Sequence, residues 1–502
     1  MKLELSESKK FLLIRESTEM EYEQLKSSFT KKIEGWRYHP LVKRGVWSGE
    51  ISFVSGNKIP AGLWSEVKDT MSLFNYKVEI DGIETLFDSE ITREDFDAWV
   101  TDFFKDSDKY PRDYQIDTAY KILKFRRCIA ELATSAGKSL IVFMVLAFLL
   151  EKKMVKKVLL IVPNVSLVIQ ASEDFGEYNH EGRLKMTIQQ IYAGVKIKKD
   201  SNIVVGTYQS LVKRKAPYFA DFDIVIVDET HKVQAASIRT ILEKLWHASY
   251  RFGVSGTIPK PGTINRLSLM ANTGPLITNI SASYLQSRGF ISECEVKIIQ
   301  MDYVNDEQKR AFHFLSRTPE DRKKLFVLEQ QYIVENEKRL RFVASVINAS
   351  SNNSLVLFHH IDHGKRLYRE LLELRRGNVF YVDGGTPALE RDLYKGRMEL
   401  GTGKILVASF GTFSTGINIT NLHNVFLTES FKSEVIIRQS IGRGLRKHEF
   451  KDKLVIIDFV DDMRLKVGGG RTWENYLFKH ARARLEIYQE QNFPYTIKKI
   501  KF

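Results

Sequence analysis

The chain has 502 residues, a net charge of +14 and two cysteines, Cys128 and Cys294. This length allows about three domains of ~150 residues, and two distant cysteines argue against a disulfide framework or a zinc cluster and favour a reducing compartment. The longest apolar run, 140–150, has eleven residues, whereas a membrane span needs ~20. With no segment of signal-peptide type at the start, we expect a soluble cytoplasmic protein without a membrane partner.

The charge is unevenly distributed along the chain. Residues 1–109 carry a net charge of −5, so the other 393 residues carry +19. A polyanionic partner for the later domains, such as nucleic acid, would account for this excess. A basic surface that serves only solubility is the alternative.

The first 109 residues predict a small α/β domain, with a helix near 20–29 and an acidic helical stretch at 84–108 that leads to a boundary. Within this domain, cations and aromatic rings are interleaved. Such a pattern suits stacking on bases and pairing with phosphates, and it predicts a nucleic-acid contact. The alternative is that both tryptophans belong to the domain core. The candidate residues are Trp36, Arg37, Lys43, Arg44 and Trp47.

A new domain opens at residue 110, just before a predicted helix. The Gln115 amide has a donor and an acceptor that could read an adenine edge, and we assign Gln115 and Arg112 to the nucleotide. A surface glutamine at a helix start is the alternative for Gln115.

A phosphate-binding loop follows at 133–139, between a predicted strand at 128–132 and a helix-length apolar run at 140–150. Backbone N–H groups of such a loop and the positive end of the next helix face phosphates. Lys138 can reach the β/γ oxygens, and the Ser139 hydroxyl can hold Mg²⁺. We therefore expect ATP and Mg²⁺ as cofactors, bound by Thr134, Ser135, Ala136, Gly137, Lys138 and Ser139.

The predicted strand 224–227 is followed by Asp228, Glu229, Thr230 and His231. Asp228 is placed to hold Mg²⁺ partly through water, and Glu229 to orient and deprotonate the attacking water. By itself the loop could be an ordinary helix start, because Leu132 stands where the motif normally has glycine. The second motif, in the right order, favours ATP hydrolysis.

Apolar strand segments alternate with helical stretches from 127 to 273, which predicts a parallel sheet with helices on both faces. Ligands gather at the carboxyl ends of such strands. The strands are predicted at 128–132, 158–162, 202–206, 224–227 and 253–255. The candidate residues that follow them, besides the two motifs above, are Pro163, Gln170, Thr207, Gln209, Ser255 and Thr257.

The α/β pattern repeats later without a second Gly-Lys-Ser. Arg443 and Arg446, at i and i+3, are predicted to lie on one face of a helix and to stabilise charge on the γ-phosphate. A solvated basic helix turn is the alternative. Strands are predicted at 295–302, 355–358, 379–382, 404–408, 425–427 and 453–459.

The last segment predicts a flexible joint at 468–470 and a final helix at 473–488. Residues 432–502 carry a net charge of +7. Such a tail forms either a solvated face or a nucleic-acid contact.

As an ordered set, these motifs resemble the superfamily 2 helicases of DExH-box type over about residues 110–460. The resemblance implies an α/β fold with two tandem RecA-like parallel-sheet domains, 110–280 and 281–460. A small α/β substrate-binding domain, 1–109, would precede them, and a short basic helical extension, 461–502, would follow.

The resemblance also implies roles for single residues. Arginine fingers would be Arg443 and Arg446, with Gln439 in the same catalytic motif and Gly416 at the nucleotide. Residues that couple ATP to domain movement would be His231, Ser255 and Thr257, and one nucleic-acid strand would be held by Pro163, Gln170, Thr207 and Gln209. Departures from the family pattern are Ser135 for Gly, Gly256 for Ala and Asn418 for Asp.

More narrowly, Ala-Thr-Ser-Ala-Gly-Lys-Ser, Ile-Gly-Arg-Gly-Leu-Arg-Lys-His and the amino-terminal Trp-Arg-Tyr-His-Pro are similar to the UvsW group of phage recombination helicases. That group implies an ATP-driven motor on branched double-stranded DNA that migrates junctions, regresses forks and removes RNA–DNA hybrids. We expect a monomer that serves DNA recombination, replication and repair.

Three other functions are alternatives to a DNA helicase. An RNA helicase or RNA-stimulated ATPase would have the same core, because only 2′-OH contacts separate RNA from DNA. A motor subunit of a restriction-type complex would need a separate nuclease. A binding module with an inactive motor is disfavoured, because Lys138, Asp228, Glu229, Arg443 and Arg446 are all present.

Overall fold

The protein is described from a computed structural model. It describes residues 1–33, 35–87, 90–195, 201–229, 235–375, 377–412, 419–431 and 434–502, in two compact units, Met1–Ile280 and Ser281–Phe502. Among the predicted site residues, His231 and Gly416 lie outside the described residues, and so does the side chain of Gln439.

The first unit begins with a four-stranded sheet in the order β5-β2-β1-β6 and a separate antiparallel pair, β3 and β4. The predicted helix near 20–29 is confirmed as α1. It begins at a capping box in which Thr18 and Glu21 satisfy each other's backbone N–H groups. The elements are β1 (Lys2–Leu5), β2 (Phe11–Glu16), α1 (Glu19–Ser28), β3 (Thr30–Lys32), α2 (Pro40–Lys43), β4 (Glu50–Ser52), β5 (Lys58–Pro60), α3 (Trp64–Ser72), β6 (Glu79–Asp81) and α4 (Arg93–Phe103).

A seven-stranded parallel sheet follows in the same unit, in the order β13-β7-β12-β11-β8-β10-β9. All five predicted strands are confirmed, and β9 and β13 are added at the two edges. The elements are α5 (Asp113–Phe125), β7 (Arg127–Leu132), α6 (Lys138–Glu151), β8 (Val158–Val162), α7 (Val165–Tyr178), β9 (Ile188–Ile191), β10 (Ile203–Thr207), α8 (Tyr208–Leu211), β11 (Ile224–Asp228), α9 (Ala235–Lys244), β12 (Tyr250–Ser255), α10 (Ile264–Asn272) and β13 (Leu276–Ile280).

The small sheet and the large sheet share one hydrophobic core. Leu3 and Leu12 of the small sheet lie in the same buried cluster as Ile129 of β7 and Met270 of α10. Gly62 permits this close approach, because an added Cβ would overlap with the Met270 carbonyl. The chain therefore changes from the small sheet to the large sheet near residue 109 beside one shared core, and the domain boundary stays a prediction.

Helix α4 packs on the large sheet's own helices, although it precedes residue 109. Phe96 and Trp99 contact Phe148 of α6 edge to face, with ring centroids 5.3 and 5.4 Å apart. The acidic stretch 84–108 thus contains the predicted helix, and the apolar face of that helix packs on α6.

The second unit holds another parallel sheet, in the order β16-β17-β15-β18-β19-β14-β22. The six predicted strands are confirmed. The elements are α11 (Ala282–Ser287), β14 (Glu293–Asp302), α12 (Asp306–Leu315), α13 (Pro319–Glu335), α14 (Glu337–Asn348), β15 (Ser354–Phe358), α15 (Ile361–Leu374), β16 (Val379–Val382), α16 (Ala388–Glu399), β17 (Ile405–Ser409), β18 (Asn424–Leu427), α17 (Glu434–Gly444), β19 (Lys453–Asp462), β20 (Leu465–Val467), β21 (Arg471–Trp473), α18 (Tyr476–Glu490) and β22 (Tyr495–Lys501).

The carboxyl-terminal segment is built into this sheet. The predicted final helix is present as α18, but β22 then pairs in parallel with β14, and β19 runs past the predicted boundary at 460. The predicted joint at 468–470 instead forms the turn of the antiparallel hairpin β20–β21, where Gly469 and Gly470 adopt φ 77° and 72°. Glycine permits that left-handed conformation, so the three glycines close a turn.

A buried ion pair holds α18 on the sheet. Arg484 donates from Nε and Nη2 to the two carboxylate oxygens of Asp458, each at 2.8 Å, and Tyr488 Oη donates to the same carboxylate at 2.9 Å. The Arg484 and Asp458 side chains are 0% and 1% exposed. The fork of the guanidinium matches the carboxylate, which suits a fully desolvated pair.

None of the described helices combines the length and apolar content that a membrane crossing requires.

We predict that Arg484→Ala destabilises the second unit by ~3–5 kcal/mol, because it leaves the Asp458 carboxylate buried without its partner. Thermal and denaturant unfolding would measure the change. The matched control is Arg482→Ala, whose ion pair with Glu474 is exposed and which should cost no more than ~1 kcal/mol. Equal effects of the two variants would contradict the assignment.

Candidate active site

The phosphate-binding loop connects the end of β7 to the first residue of α6, Lys138. Two of its residues adopt left-handed conformations, Ser135 at φ 74° and Gly137 at φ 76°. Ser135 therefore adopts a positive φ where the family pattern has glycine, and a side chain there stores strain. The N-terminus of α6 begins at this turn, and the positive end of a helix favours an anion there.

The loop is held from behind by the start of α5. Tyr114 Oη and Gln115 Nε2 both donate to the Ala136 carbonyl at 2.9 Å, and Gln115 Oε1 accepts from the Arg112 N–H at 2.8 Å. Gln115 is 6% exposed. Its amide thus positions the loop, a role that the sequence did not predict. The adenine contact assigned to Gln115 and Arg112 stays a prediction.

Three charged residues converge beside the loop. Lys138 Nζ lies 3.2 Å from Glu229 Oε1, with side chains 17% and 12% exposed. Asp228 Oδ1 accepts the Glu229 N–H at 2.8 Å, and Glu229 adopts φ 49°. A positive φ at a non-glycine residue is uncommon, and here it turns Glu229 out of β11 toward the lysine. The structure therefore brings together the two motifs that the sequence placed far apart.

The Ser139 hydroxyl forms a hydrogen bond of 3.0 Å with Tyr178 Oη at the end of α7. Sequence reasoning missed Tyr178, because nothing in the chain pattern links it to the loop. A hydroxyl at Ser139 and a carboxylate at Asp228 are hard oxygen donors, and this donor set suits Mg²⁺. In the described residues, no group of three or more His, Cys, Asp or Glu side chains forms a further metal site.

The end of β12 contacts the loop from the other side. Ser255 Oγ donates to the Thr257 carbonyl at 2.7 Å, and both side chains are buried. A Cβ added to Gly256 would lie 3.5 Å from Lys138 Nζ and 3.6 Å from Thr134 Oγ1. This segment therefore lies beside the phosphate-binding residues, and its coupling role stays a prediction.

The predicted strand-binding residues occupy the same sheet edge, at the ends of β8 and β10. Gln170 and Gln209 are exposed, whereas Pro163 and Thr207 are buried. Gln209 Nε2 donates to the Pro163 carbonyl at 3.4 Å, and Thr207 Oγ1 donates to Ser210 Oγ at 3.1 Å. The two amides are thus accessible at the surface beside this edge.

The amino-terminal tryptophans are half-buried, and neither belongs to the core. The prediction's alternative, burial of both in the core, is therefore wrong. Lys32 Nζ lies 4.0 Å and Arg37 Cζ 5.3 Å from the Trp36 ring, and Trp47 Nε1 donates to the Glu50 carbonyl at 3.0 Å. The predicted partners Arg37, Lys43 and Arg44 are exposed.

In the second unit, Arg443 lies in the last turn of α17, but Arg446 lies beyond its end at Gly444. The prediction that both share one helix face is therefore wrong, because the chain leaves the helix between them. Lys451 fixes the backbone at the end of α17, because its Nζ donates to the Gly444 carbonyl at 2.8 Å and to the Thr420 carbonyl at 2.9 Å. Burial lowers the pKa of Lys451 to about 8.

Comparison with known proteins decides the family. Residues 10–81 match the family "DNA helicase UvsW, N-terminal", and residues 108–260 match "Type III restriction enzyme, res subunit". Over 498 residues the chain is 31% identical to the ATP-dependent DNA helicase uvsW of Enterobacteria phage T4, covering 96% of each sequence. The chain belongs to the UvsW family of DNA helicases. It is an ATP-hydrolysing superfamily 2 helicase that binds nucleic acid.

Solved structures agree with this UvsW fold. The crystal structure of T4 UvsW is 30% identical with a TM-score of 0.50, over 100% of this chain and 99% of that chain. The helicase MrfA bound to DNA is 13% identical with a TM-score of 0.57, over 80% of this chain and 54% of that chain, and it shares the fold.

We predict that alanine substitutions at two glycines of the site have different effects on ATP hydrolysis. Gly137→Ala places a Cβ on Gln115 Nε2 at a positive φ, so it should lower kcat/KM for ATP by ~30- to 300-fold, through strain and the displaced Gln115 hydrogen bond. Gly256→Ala meets only ordinary contacts and should stay within about threefold of wild type. Steady-state ATPase measures both, and equal losses would contradict the geometry.

Proposed function

We propose that this UvsW-family helicase acts on branched double-stranded DNA, migrating junctions, regressing forks and removing RNA–DNA hybrids in recombination, replication and repair. It works as a monomer in the cytoplasm, that of the host where a phage carries the gene. The observation that carries the proposal is the core shared by the amino-terminal sheet and the first parallel sheet. Exposed cations around Trp36 and Trp47, in the amino-terminal region, add to it.

The shared core restricts how the amino-terminal region can move. Because Leu3 and Leu12 pack with Ile129 and Met270, separating the two sheets would expose buried side chains that contribute ~1.5–3 kcal/mol each. A duplex arm bound near Trp36 therefore moves with the first motor domain in every ATP cycle. A motor that carries an arm in this way draws one arm past another, which is the movement that junction migration requires.

In the ATPase cycle, Lys138 binds the β/γ-phosphate oxygens, and Glu229 orients and deprotonates the attacking water. Ser139, and Asp228 partly through water, would hold Mg²⁺, and the bound ion would supply positive charge against those phosphates. We also assign Arg112, Gln115 and residues 134–137 to the nucleotide, and Gly416 from the family resemblance. Charge that develops on the γ-phosphate is stabilised by Arg443 and Arg446, with Gln439 in the same motif.

Nucleotide binding is coupled to movement through Ser255, Thr257 and His231. The position of Gly256 supports this, because a Cβ added there would lie 3.5 Å from Lys138 Nζ, so a shift of the lysine toward phosphate changes the surroundings of that segment. The translocating strand is held by its backbone at Pro163, Gln170, Thr207 and Gln209, where the exposed amides of Gln170 and Gln209 can donate to phosphate oxygens.

The deciding experiment is an assay on a synthetic four-way DNA junction with ATP and Mg²⁺. We expect the wild-type protein to convert the junction into its two duplex products. Glu229→Gln, which keeps the shape and removes the base, should bind the junction but migrate it at least ~100-fold more slowly. If RNA stimulates the ATPase and junctions are left unconverted, the proposal fails and an RNA helicase is the better interpretation. Dependence on an added nuclease subunit would indicate a restriction-type motor.

We also predict that Arg443→Ala and Arg446→Ala leave ATP affinity within a few-fold but lower DNA-stimulated hydrolysis by up to ~10³-fold, as removal of an arginine finger does. Lysine at either position should restore little, because a point charge cannot bridge two phosphate oxygens. ATPase with and without duplex DNA gives the first readout. A salt titration of DNA binding gives the second: normal stimulation with a shallower salt dependence would make both arginines strand contacts.

A further inference from the structure

A basic groove of about 750 Å³ crosses the second unit, away from every motif described above. One wall is helix α12 with the turn after it, and the other wall is the hairpin β20–β21. Its floor is formed at the carboxyl ends of β14 and β19, by Asp302 and Asp462. We call this feature the α12–hairpin groove. It is lined by Asp302, Lys309, Arg310, His313, Arg317, Asp462, Arg464, Leu465, Lys466, Val467, Gly468 and Thr472.

The cations of the groove fall into two groups. Lys309 and Arg464 form ion pairs with the two acidic residues of the floor. Lys309 Nζ lies 3.4 Å from Asp302 Oδ1, and Arg464 donates to both oxygens of Asp462 at 2.9 and 2.8 Å. A second group, Arg310, Arg317 and Lys466, is exposed and forms no ion pair within the described part of the chain.

Five Lys or Arg side chains against two Asp give the lining a net charge of +3 before His313 is counted. The two acidic residues are already engaged by the fixed cations, so the field at the mouth of the groove is that of the exposed group. Like charges held close together repel one another, and an anionic ligand relieves that repulsion.

The exposed cations are placed to contact more than one phosphate. Arg310 lies on α12, and Arg317 lies in the turn after the helix ends at Leu315, so both belong to one wall of the groove. Successive phosphates on one strand of B-DNA are ~3.4 Å apart along the duplex axis, so cations on separate turns meet different phosphates. Lys466 supplies a cation from the opposite wall, so the groove can hold a backbone between two sides.

The lining favours a duplex over an exposed single strand. No Phe, Tyr or Trp is found among the described residues that line the groove, whereas grooves for single strands use aromatic platforms on which bases stack. Exposed cations without an aromatic platform in the lining contact the backbone and not the bases, which suits duplex DNA, whose bases are already stacked.

We propose that the α12–hairpin groove binds the phosphate backbone of a duplex DNA arm, as a site separate from the strand-binding edge of the first unit. This inference rests on the proposed function, because a helicase that acts on branched DNA meets more than one duplex arm. The groove gives the second unit its own hold on DNA, independent of the nucleotide.

The test compares full-length proteins in duplex DNA binding, followed by fluorescence anisotropy between ~50 and ~200 mM salt. The variant Arg310→Ala/Arg317→Ala/Lys466→Ala should bind at least ~10-fold more weakly at the lowest salt. Its plot of log K against log salt should be shallower by about 2–3, because each phosphate that the protein neutralises contributes ~0.9 to the slope. Its ATPase without DNA should equal that of wild type.

The matched control removes three exposed cations elsewhere on the same unit. It combines Arg341→Ala on α14 with Lys365→Ala and Arg369→Ala on α15. This variant has the same net charge as the groove variant, and its slope should change by less than about 1. Equal slopes for the two triple variants would overturn the proposal, because they would show an effect of net charge alone.

Asp302→Asn provides a change of opposite sign. Its side chain is 53% exposed, and removing its negative charge should tighten duplex binding by ~2- to 5-fold at low salt. An unfolded protein cannot give that gain. A loss confined to single-stranded DNA would overturn the duplex assignment. A wild-type protein without DNA-stimulated ATPase would instead contradict the proposed function, whatever the groove variants do.

Discussion

The phosphate-binding loop depends on one carbonyl group. The chain can pass from β7 into α6 only through two left-handed residues, Ser135 and Gly137, and the Ala136 carbonyl between them is fixed by Tyr114 and Gln115. Left-handed backbone at a non-glycine residue costs ~1–2 kcal/mol. Helix α6 offsets this cost, because its residues from Leu140 to Leu149 are all buried. The same burial fixes the direction in which Lys138 leaves the loop.

The order of strands in the parallel sheet then determines which residues lie near Lys138. All strands of the first large sheet run in one direction, so the segments after β11 and β12 reach the same edge as the loop. That arrangement places Glu229 3.2 Å from Lys138 and puts Gly256 against the lysine and Thr134. The site is therefore a consequence of strand order, and the shared core with Leu3 and Leu12 attaches the amino-terminal sheet to the same rigid framework.

The second unit uses charge differently. Its interior contains desolvated ion pairs, such as Arg484 with Asp458 and Arg339 with Asp461, whose side chains are almost wholly buried. These pairs join α18 and α14 to strand β19. At the surface, the α12–hairpin groove has exposed cations without such partners in the described chain. Buried charges here hold the fold together, and the exposed ones remain available to a polyanion.

The sequence alone determined the central strands, because a strand covered on both faces needs a continuous apolar run, as in Val158–Val162 and Ile224–Val227. It also determined the two ATP motifs, which are local. In the two large parallel sheets the sequence missed three strands, Ile188–Ile191, Leu276–Ile280 and Tyr495–Lys501, and all three are edge strands. An edge strand pairs on one side only and can be short or polar, so its local pattern is weak.

Only the tertiary structure decided the remaining features. The role of Gln115, the hydrogen bond between Ser139 and Tyr178, and the hairpin closed by residues 468–470 all depend on segments that meet after folding. The same is true of the α12–hairpin groove, whose walls come from α12 and from β20–β21, some 150 residues further along the chain. Local sequence specifies which residues are apolar, charged or flexible. Which of them face one another is set by the pairing of distant strands, and that pairing is decided by the packing of the whole sheet.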